Sequence, residues 1–234
     1  MAVLLTRPEA DNQRVAELLY DLHISSLSWP LTRIVNLPGP VEVPAETQAL
    51  ICTSANALRS LAAASPVRDL PVFCVGTRTA TLAREAGFTL VRDPAPDANV
   101  LIAHLAEAPF THFFHPSGRD LSTDLAADPR LADKRITRAV TYHADPAGPP
   151  ESQVAQALSR GTIRVVTLWS ARNARIFLSH CARNPDWAFH GTDLAAISQK
   201  VADAAQEAGF RRILVAATPD TPAMVSTISA ALRQ

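Results

Sequence analysis

Short apolar runs alternate along the whole chain with segments whose apolar positions recur every three or four residues. The runs predict strands over 2–6, 48–52, 71–75, 88–91, 111–115, 136–142, 163–168, 193–197 and 212–216. The periodic segments predict helices over 77–86, 97–107, 151–159, 170–181 and 198–208, others opening at Pro8, Ser54 and Gly118, and a last one from about Pro222. In the first helix Val15, Leu18, Leu19 and Leu22 fall at i, i+3, i+4 and i+7, an apolar stripe. Residues 25–37 alternate as one extended segment, but Pro30, Pro38, Gly39, Pro40 and Pro44 punctuate it, so it leads into a connector.

Strands and helices that alternate so regularly predict parallel sheets covered on both faces. The pattern also repeats. Residues 75–88 and 197–210 each read as a strand end, a small residue (Gly76 or Ser198), a helix and the ending Glu-Ala-Gly-Phe, a helix stop with glycine at the left-handed position. Residues 51–57 and 168–174 form a second pair; its serines are offset by 116 positions (170 − 54), and the glycines of the first pair by 122 (209 − 87). The chain therefore reads as two copies of one α/β unit. Pro/Gly-rich connectors occur at 36–44 and 144–150, whereas a simple tandem needs one linker. The expected organisation is a discontinuous α/β domain of residues 1–37 plus 144–234, with an α/β domain of residues 38–143 inserted into it.

At 234 residues with 47% hydrophobic and 19% charged content, the chain can bury proper cores. Lys plus Arg (22) balances Asp plus Glu (22), so the global basic field of a nucleic-acid binder is absent and an anionic ligand must be met by local arrangement. Cys52, Cys74 and Cys181 have no metal-ligand or CxxC spacing and read as buried thiols of a reducing compartment. The start of the sequence is too short for a signal peptide and no apolar run reaches membrane-spanning length, so a cytoplasmic protein without a membrane partner is expected.

Ser54, Gly76, Ser170 and Ser198 each fall between a strand and a helix. Beyond the carboxyl ends of parallel strands, helix amino termini offer unpaired N–H groups to anions. A serine there is first of all an N-cap. The eight glycines never come closer than 11 positions (87 − 76), which excludes GxGxxG and Walker loops, and GxSxG is absent. His112 and His115 are three apart on a predicted strand and point to opposite faces, a poor metal pair. His104, His143, His180 and His190 read as structural or surface residues. Arg7, Arg78, Arg119, Arg172, Arg175 and Lys200 all lie within a few residues of a strand's carboxyl end.

Thr6-Arg7-Pro8, Thr53-Ser54-Ala55-Asn56-Ala57, Val75-Gly76 with Thr79-Ala80, the strand ending at Tyr142, Ser170-Ala171 with Asn173-Ala174, and Ile197-Ser198 with Ala202 and Gly209-Phe210 together resemble the uroporphyrinogen-III synthase family. The resemblance runs from Thr6 to the Thr221-Pro222 turn. It implies two flavodoxin-like (Rossmann-like) parallel-sheet domains joined by a two-stranded linker, with the active site in the interdomain cleft. It implies a lyase that cyclises the linear tetrapyrrole hydroxymethylbilane to uroporphyrinogen III, with loss of water and inversion of ring D, using no metal or organic cofactor. A monomer is expected. Tyr142 matches the family's most activity-sensitive tyrosine and is the expected catalytic residue, with packing of the hinge as its structural alternative. Thr6, Arg7, Ser54, Asn56, Gly76, Thr79, His115, Arg119, Ser170, Ser198 and Thr221 are the expected substrate-binding residues. Two departures stand out: Val201 replaces a frequent threonine, and the run His115-Pro116-Ser117-Gly118-Arg119 replaces a more Gly-rich turn, with Pro116 lacking a backbone donor. A rival reading is a non-catalytic two-lobed binding or sensor protein for an anionic small molecule.

Overall fold

A computed structural model describes residues 2–187 and 189–233. In chain order the elements are β1 (Ala2–Leu5), α1 (Glu9–Asp21), β2 (Ser26–Ser28), β3 (Thr32–Asn36), β4 (Ala49–Cys52), α2 (Ala55–Ala64), β5 (Val72–Cys74), α3 (Thr77–Glu85), α4 (Ala98–Glu107) and β6 (His112–Gly118). They continue with β7 (Arg135–Pro146), α5 (Ser152–Ser159), β8 (Ile163–Leu168), α6 (Ala171–Arg183), β9 (Asp193–Ala196), α7 (Gln199–Ala204), β10 (Arg212–Val215) and α8 (Thr221–Leu232). The fold divides into two compact units, residues 1–33 with 145–234, and residues 34–144.

The first unit holds a sheet of order β10-β9-β8-β1-β2, parallel throughout. Its central strands are buried along their length, as strands covered on both faces must be. One face packs Val15 and Leu19 of α1 and Met224 and Ile228 of α8 against Val3, Leu5 and Val165. The other packs α5, α6 and α7 against Leu4, Val166 and Leu194. There Phe177 lies among Trp29, Phe189 and Phe210, with centroid separations of 5.3–6.0 Å. Burying such a ring is worth about 2–3 kcal/mol.

The second unit holds the order β3-β7-β6-β4-β5, with β7, β6, β4 and β5 parallel. Single parallel bridges, Val72 to Val91 and Val75 to Ala95, extend it past β5. Leu58 and Leu61 of α2 and Ala80 and Ala83 of α3 cover one face. Leu101, Ile102 and Leu105 of α4 cover the other, beside Phe73 and Phe113. Both sheets are thus parallel-dominated and doubly wound.

Several expectations are corrected. No α-helix follows Gly118: β6 runs through the supposed turn His115–Gly118, and two 3₁₀ turns, Leu125–Ala127 and Pro129–Leu131, come after it. Asp124 and Asp128 cap those turns with their own side chains, offering the backbone an alternative to a continuous helix. The strand expected at 88–91 is reduced to the Val91 bridge. Residues 25–37 break at Trp29-Pro30-Leu31 into β2 and β3, which belong to different sheets. Leu18 and Leu22 are 45% and 51% exposed, because the buried face of α1 runs through Asp11, Asn12, Val15 and Leu19. The last helix of the repeat is shorter than expected, α7 giving way to a 3₁₀ turn at Gln206–Ala208. Gly87 (φ 89°) and Gly209 (φ 72°) do take the left-handed conformation that ends each copy.

Candidate functional site

In the second unit, register aligns the carboxyl ends of four strands. The pairs Cys52–Cys74 and Leu50–Phe114, followed two residues onward and four residues onward, set Ser54 level with Gly76 and with Gly118, and Gly118 pairs with Tyr142. Neighbouring strands β4 and β6 continue into connections that leave in different directions, and such a switch point is where open α/β sheets bind ligands. Ser54 caps α2, its Oγ accepting from the Ala57 N–H at 3.1 Å. The same Oγ lies 3.1 Å from the Tyr142 hydroxyl. The phenol is thereby held across the sheet edge, at the amino terminus of a helix.

Behind this pair sits a buried support. His115 is 2% exposed, and its Nε2 is 3.2 Å from the Thr53 hydroxyl. Burial, and after it the nearby Arg138 guanidinium, push its pKa down to about 4, while Asp124 pulls weakly the other way. The ring is therefore neutral near pH 7. Ser60 donates to the Thr141 carbonyl at 2.8 Å, tying α2 to the strand that carries Tyr142. Gly76 (φ 77°) opens α3 in a conformation that a side chain would strain. Thr79 is buried on the inner side of α3, Asn56 accepts from Arg59 at 3.1 Å, and Arg119 is exposed just past β6.

In the first unit the Leu4–Val166 and Leu168–Ala196 pairs place Thr6 beside Leu168, and Ser170 beside Ser198. Thr6 is fully buried and its hydroxyl donates to the Thr167 carbonyl. Its own carbonyl accepts from Asn173 at 3.2 Å. Arg7 pairs with Asp11 at 3.0 Å and lies 4.5 Å over the Trp169 ring. Ser170 caps α6 through the Asn173 N–H at 3.1 Å. Ser198 occupies the cap position of α7 without a side-chain cap bond. Thr221 is the first residue of α8 rather than its cap; Asp220 is the cap, accepting from Ala223 at 2.9 Å.

Ser54, Gly76, Arg119 and Tyr142 thus gather at one sheet edge, and Arg7, Ser170 and Ser198 at the other unit's equivalent edge. Thr6, Thr79 and His115 are buried. Sequence reasoning missed Arg138 and Asn12, and named Asn173 only as part of a motif. Arg138 precedes Tyr142 by four residues on β7, with the register slip between them. Asn12 falls within the buried face of α1, a polar residue at a core position. Among the described residues no group of three or more His, Cys, Asp or Glu side chains is placed to hold a metal ion. No described helix is long and apolar enough to cross a membrane.

The family model for uroporphyrinogen-III synthase HemD matches residues 13–226. The chain belongs to the uroporphyrinogen-III synthase family. That is an enzyme family of haem and porphyrin biosynthesis, and the chain carries the family's synthase function. No curated protein sequence matches the chain significantly. The fold is similar to that of the Helicobacter pylori uroporphyrinogen-III synthetase, at TM-score 0.61 and 18% identity, over 90% of this chain and 93% of that one. It is also similar to a mutant uroporphyrinogen III synthase from Thermus thermophilus, at TM-score 0.51 and 17% identity, over 100% of this chain and 99% of that one.

Proposed function

We propose that this chain acts as a hydro-lyase on hydroxymethylbilane, with the phenol of Tyr142 assisting departure of the hydroxyl group. The C–O bond at the hydroxymethyl carbon breaks and the leaving oxygen takes a proton and departs as water; that carbon then bonds to the substituted α-carbon of ring D, whose bond to the neighbouring bridge carbon breaks and re-forms at the ring's other α-carbon, which gives up its proton. Carboxylates of the bilane are received by the helix amino termini of α2 and α3 beside Tyr142. Arg119 adds charge at the same strand ends. Because the substrate is already reactive, the protein's task is mainly to hold it in the conformation that closes with ring D inverted.

The observation that carries this reading is the 3.1 Å contact of the Tyr142 hydroxyl with Ser54 Oγ. It fixes a proton-bearing group at the switch point without consuming it in the core. Tyr142→Phe is expected to lower kcat by about 100-fold, the lower end of a general-acid contribution, and to raise the share of type I product. An assay that resolves oxidised type I and type III products checks both. An unchanged rate and isomer ratio would remove the hydroxyl from the mechanism.

A further inference from the structure

Tyr142 lies on β7 opposite Gly118 of β6, where the register slips by one residue between Ser117 and Gly118. The phenol ring occupies the space a side chain at 118 would need. A Cβ built there falls 2.8 Å from Cζ of Tyr142 and 3.0 Å from both its Cε2 and its hydroxyl oxygen. Such approaches are shorter than real Cβ contacts, so with any side chain at 118 the ring must move, and its hydroxyl end moves with it. A glycine inside a strand commonly marks a bulge or a close approach of this kind.

The bulge is itself held in place. Arg138 extends back across β6 and donates from Nε to Ser117 Oγ and from Nη2 to the carbonyls of Gly118 and Arg119, each at 2.8 Å. Arg138 and Tyr142 therefore flank Gly118 from the same strand, one fixing the backbone and the other resting on it. A planar fork that reaches three acceptors is beyond a lysine, which has a single nitrogen.

We infer that Gly118 and Arg138 are positioning residues for Tyr142: the missing side chain is the seat of the phenol, and the guanidinium keeps that seat in register. The inference rests on the reading that Tyr142 acts in the reaction. The geometric part is testable without it.

The chain has two tyrosines, so a Tyr20→Phe background with ring-¹³C-labelled tyrosine gives one NMR signal, that of Tyr142. In that background Gly118→Ala and Arg138→Met are expected to shift the signal. An unmoved signal in both overturns the positioning claim whatever the activity shows. Kinetics then test the consequence. Gly118→Ala is expected to lower kcat by about 10- to 100-fold, the scale of an ångström misplacement, with KM changed less than about twofold. Arg138→Met is expected to follow it and Arg138→Lys to recover only part. Combined with Tyr142→Phe, Gly118→Ala is expected to add almost nothing. An equal loss in the Tyr142→Phe background makes the effect merely structural and overturns the proposal. If Gly118→Ala does not fold, as judged by circular dichroism, the Arg138 pair decides alone. If Tyr142→Phe itself keeps full activity while the signal shifts, it is the catalytic reading that falls and the seat that stands.

Discussion

Acidification offers a measurable handle on the buried support of the site. The ordinary histidine pKa of 6.5 falls to about 4 for His115 in the fold. The native state thus favours the proton-free ring, and between pH 6.5 and 4 the unfolded chain binds more protons than the folded one. Stability therefore falls as pH falls through that window. The drop from 6.5 to about 4 spans about 2.5 pH units, and at about 1.4 kcal/mol each the complete loss is about 3 kcal/mol, of which about 2 is reached by pH 5. Burial leads the causes and the Arg138 guanidinium follows. His115→Gln keeps a polar group near Thr53 but cannot titrate. Urea unfolding followed by far-UV circular dichroism at pH 7, 6 and 5 compares the two proteins. Trp29, Trp169 and Trp187 all belong to the unit of residues 1–33 and 145–234, so tryptophan fluorescence supplies a reference for the unit without His115. His180, also depressed by burial and then by Arg183, titrates in both proteins and cancels in the difference. Parallel pH dependences for the wild-type and His115→Gln would refute the reasoning.

Two further outcomes test the scaffold. Asp193 is 1% exposed and holds Arg211 through paired bonds of 2.8 Å, together with Arg212. Burial alone would raise its pKa, yet these guanidinium hydrogen bonds hold it at about 2, so its contribution persists above pH 3.8 and is lost as pH falls toward 2; Asp193→Asn is expected to cost about 3 kcal/mol at pH 7 by urea titration, and a loss under 1 would show the pair to be neutral. Ser54→Ala and Ser170→Ala should each cost about 1 kcal/mol as lost caps in thermal melts, but only Ser54→Ala should move the Tyr142 NMR signal.

The repeat, the doubly wound layers and the capped turns were legible because each has a local cause. Apolar runs such as 49–52 need cover on both faces, and Gly87 and Gly209 supply a backbone conformation that other residues resist. The pairing of Tyr142 with Ser54, 88 residues away, has no local signature. Gly118 misled for a physical reason. A glycine followed by Arg-Asp and serines reads as a turn and a helix start, whereas its actual role, close approach of a ring from the next strand, depends on a register that sequence does not disclose. The last helix begins at Thr221, one residue before the expected Pro222, because Asp220 takes the cap.

The duplication also relates the two sheets strand by strand. The segments that repeat in sequence map β8 onto β4 and β9 onto β5, so β10 corresponds to the bridged stretch around Val91 and Ala95. Apart from β3, which has no counterpart, the remaining strands pair off as β1 with β6 and β2 with β7, and the orders β2-β1-β8-β9-β10 and β7-β6-β4-β5 with its bridge correspond. One unit is in this sense a circular permutation of the other. Under this mapping Ser170 answers to Ser54, and Leu5 at the end of β1 answers to His115. On the next strand Ser28 of β2 answers to Arg138 of β7, and its hydroxyl donates to Glu9 and accepts from Asn12, so in that copy the position is tied into α1. The permuted copy has thus kept the helix-capping turn at Ser170, while a neutral hydroxyl bound to α1 stands where the other copy has the guanidinium that holds Ser117 and the Gly118 carbonyl.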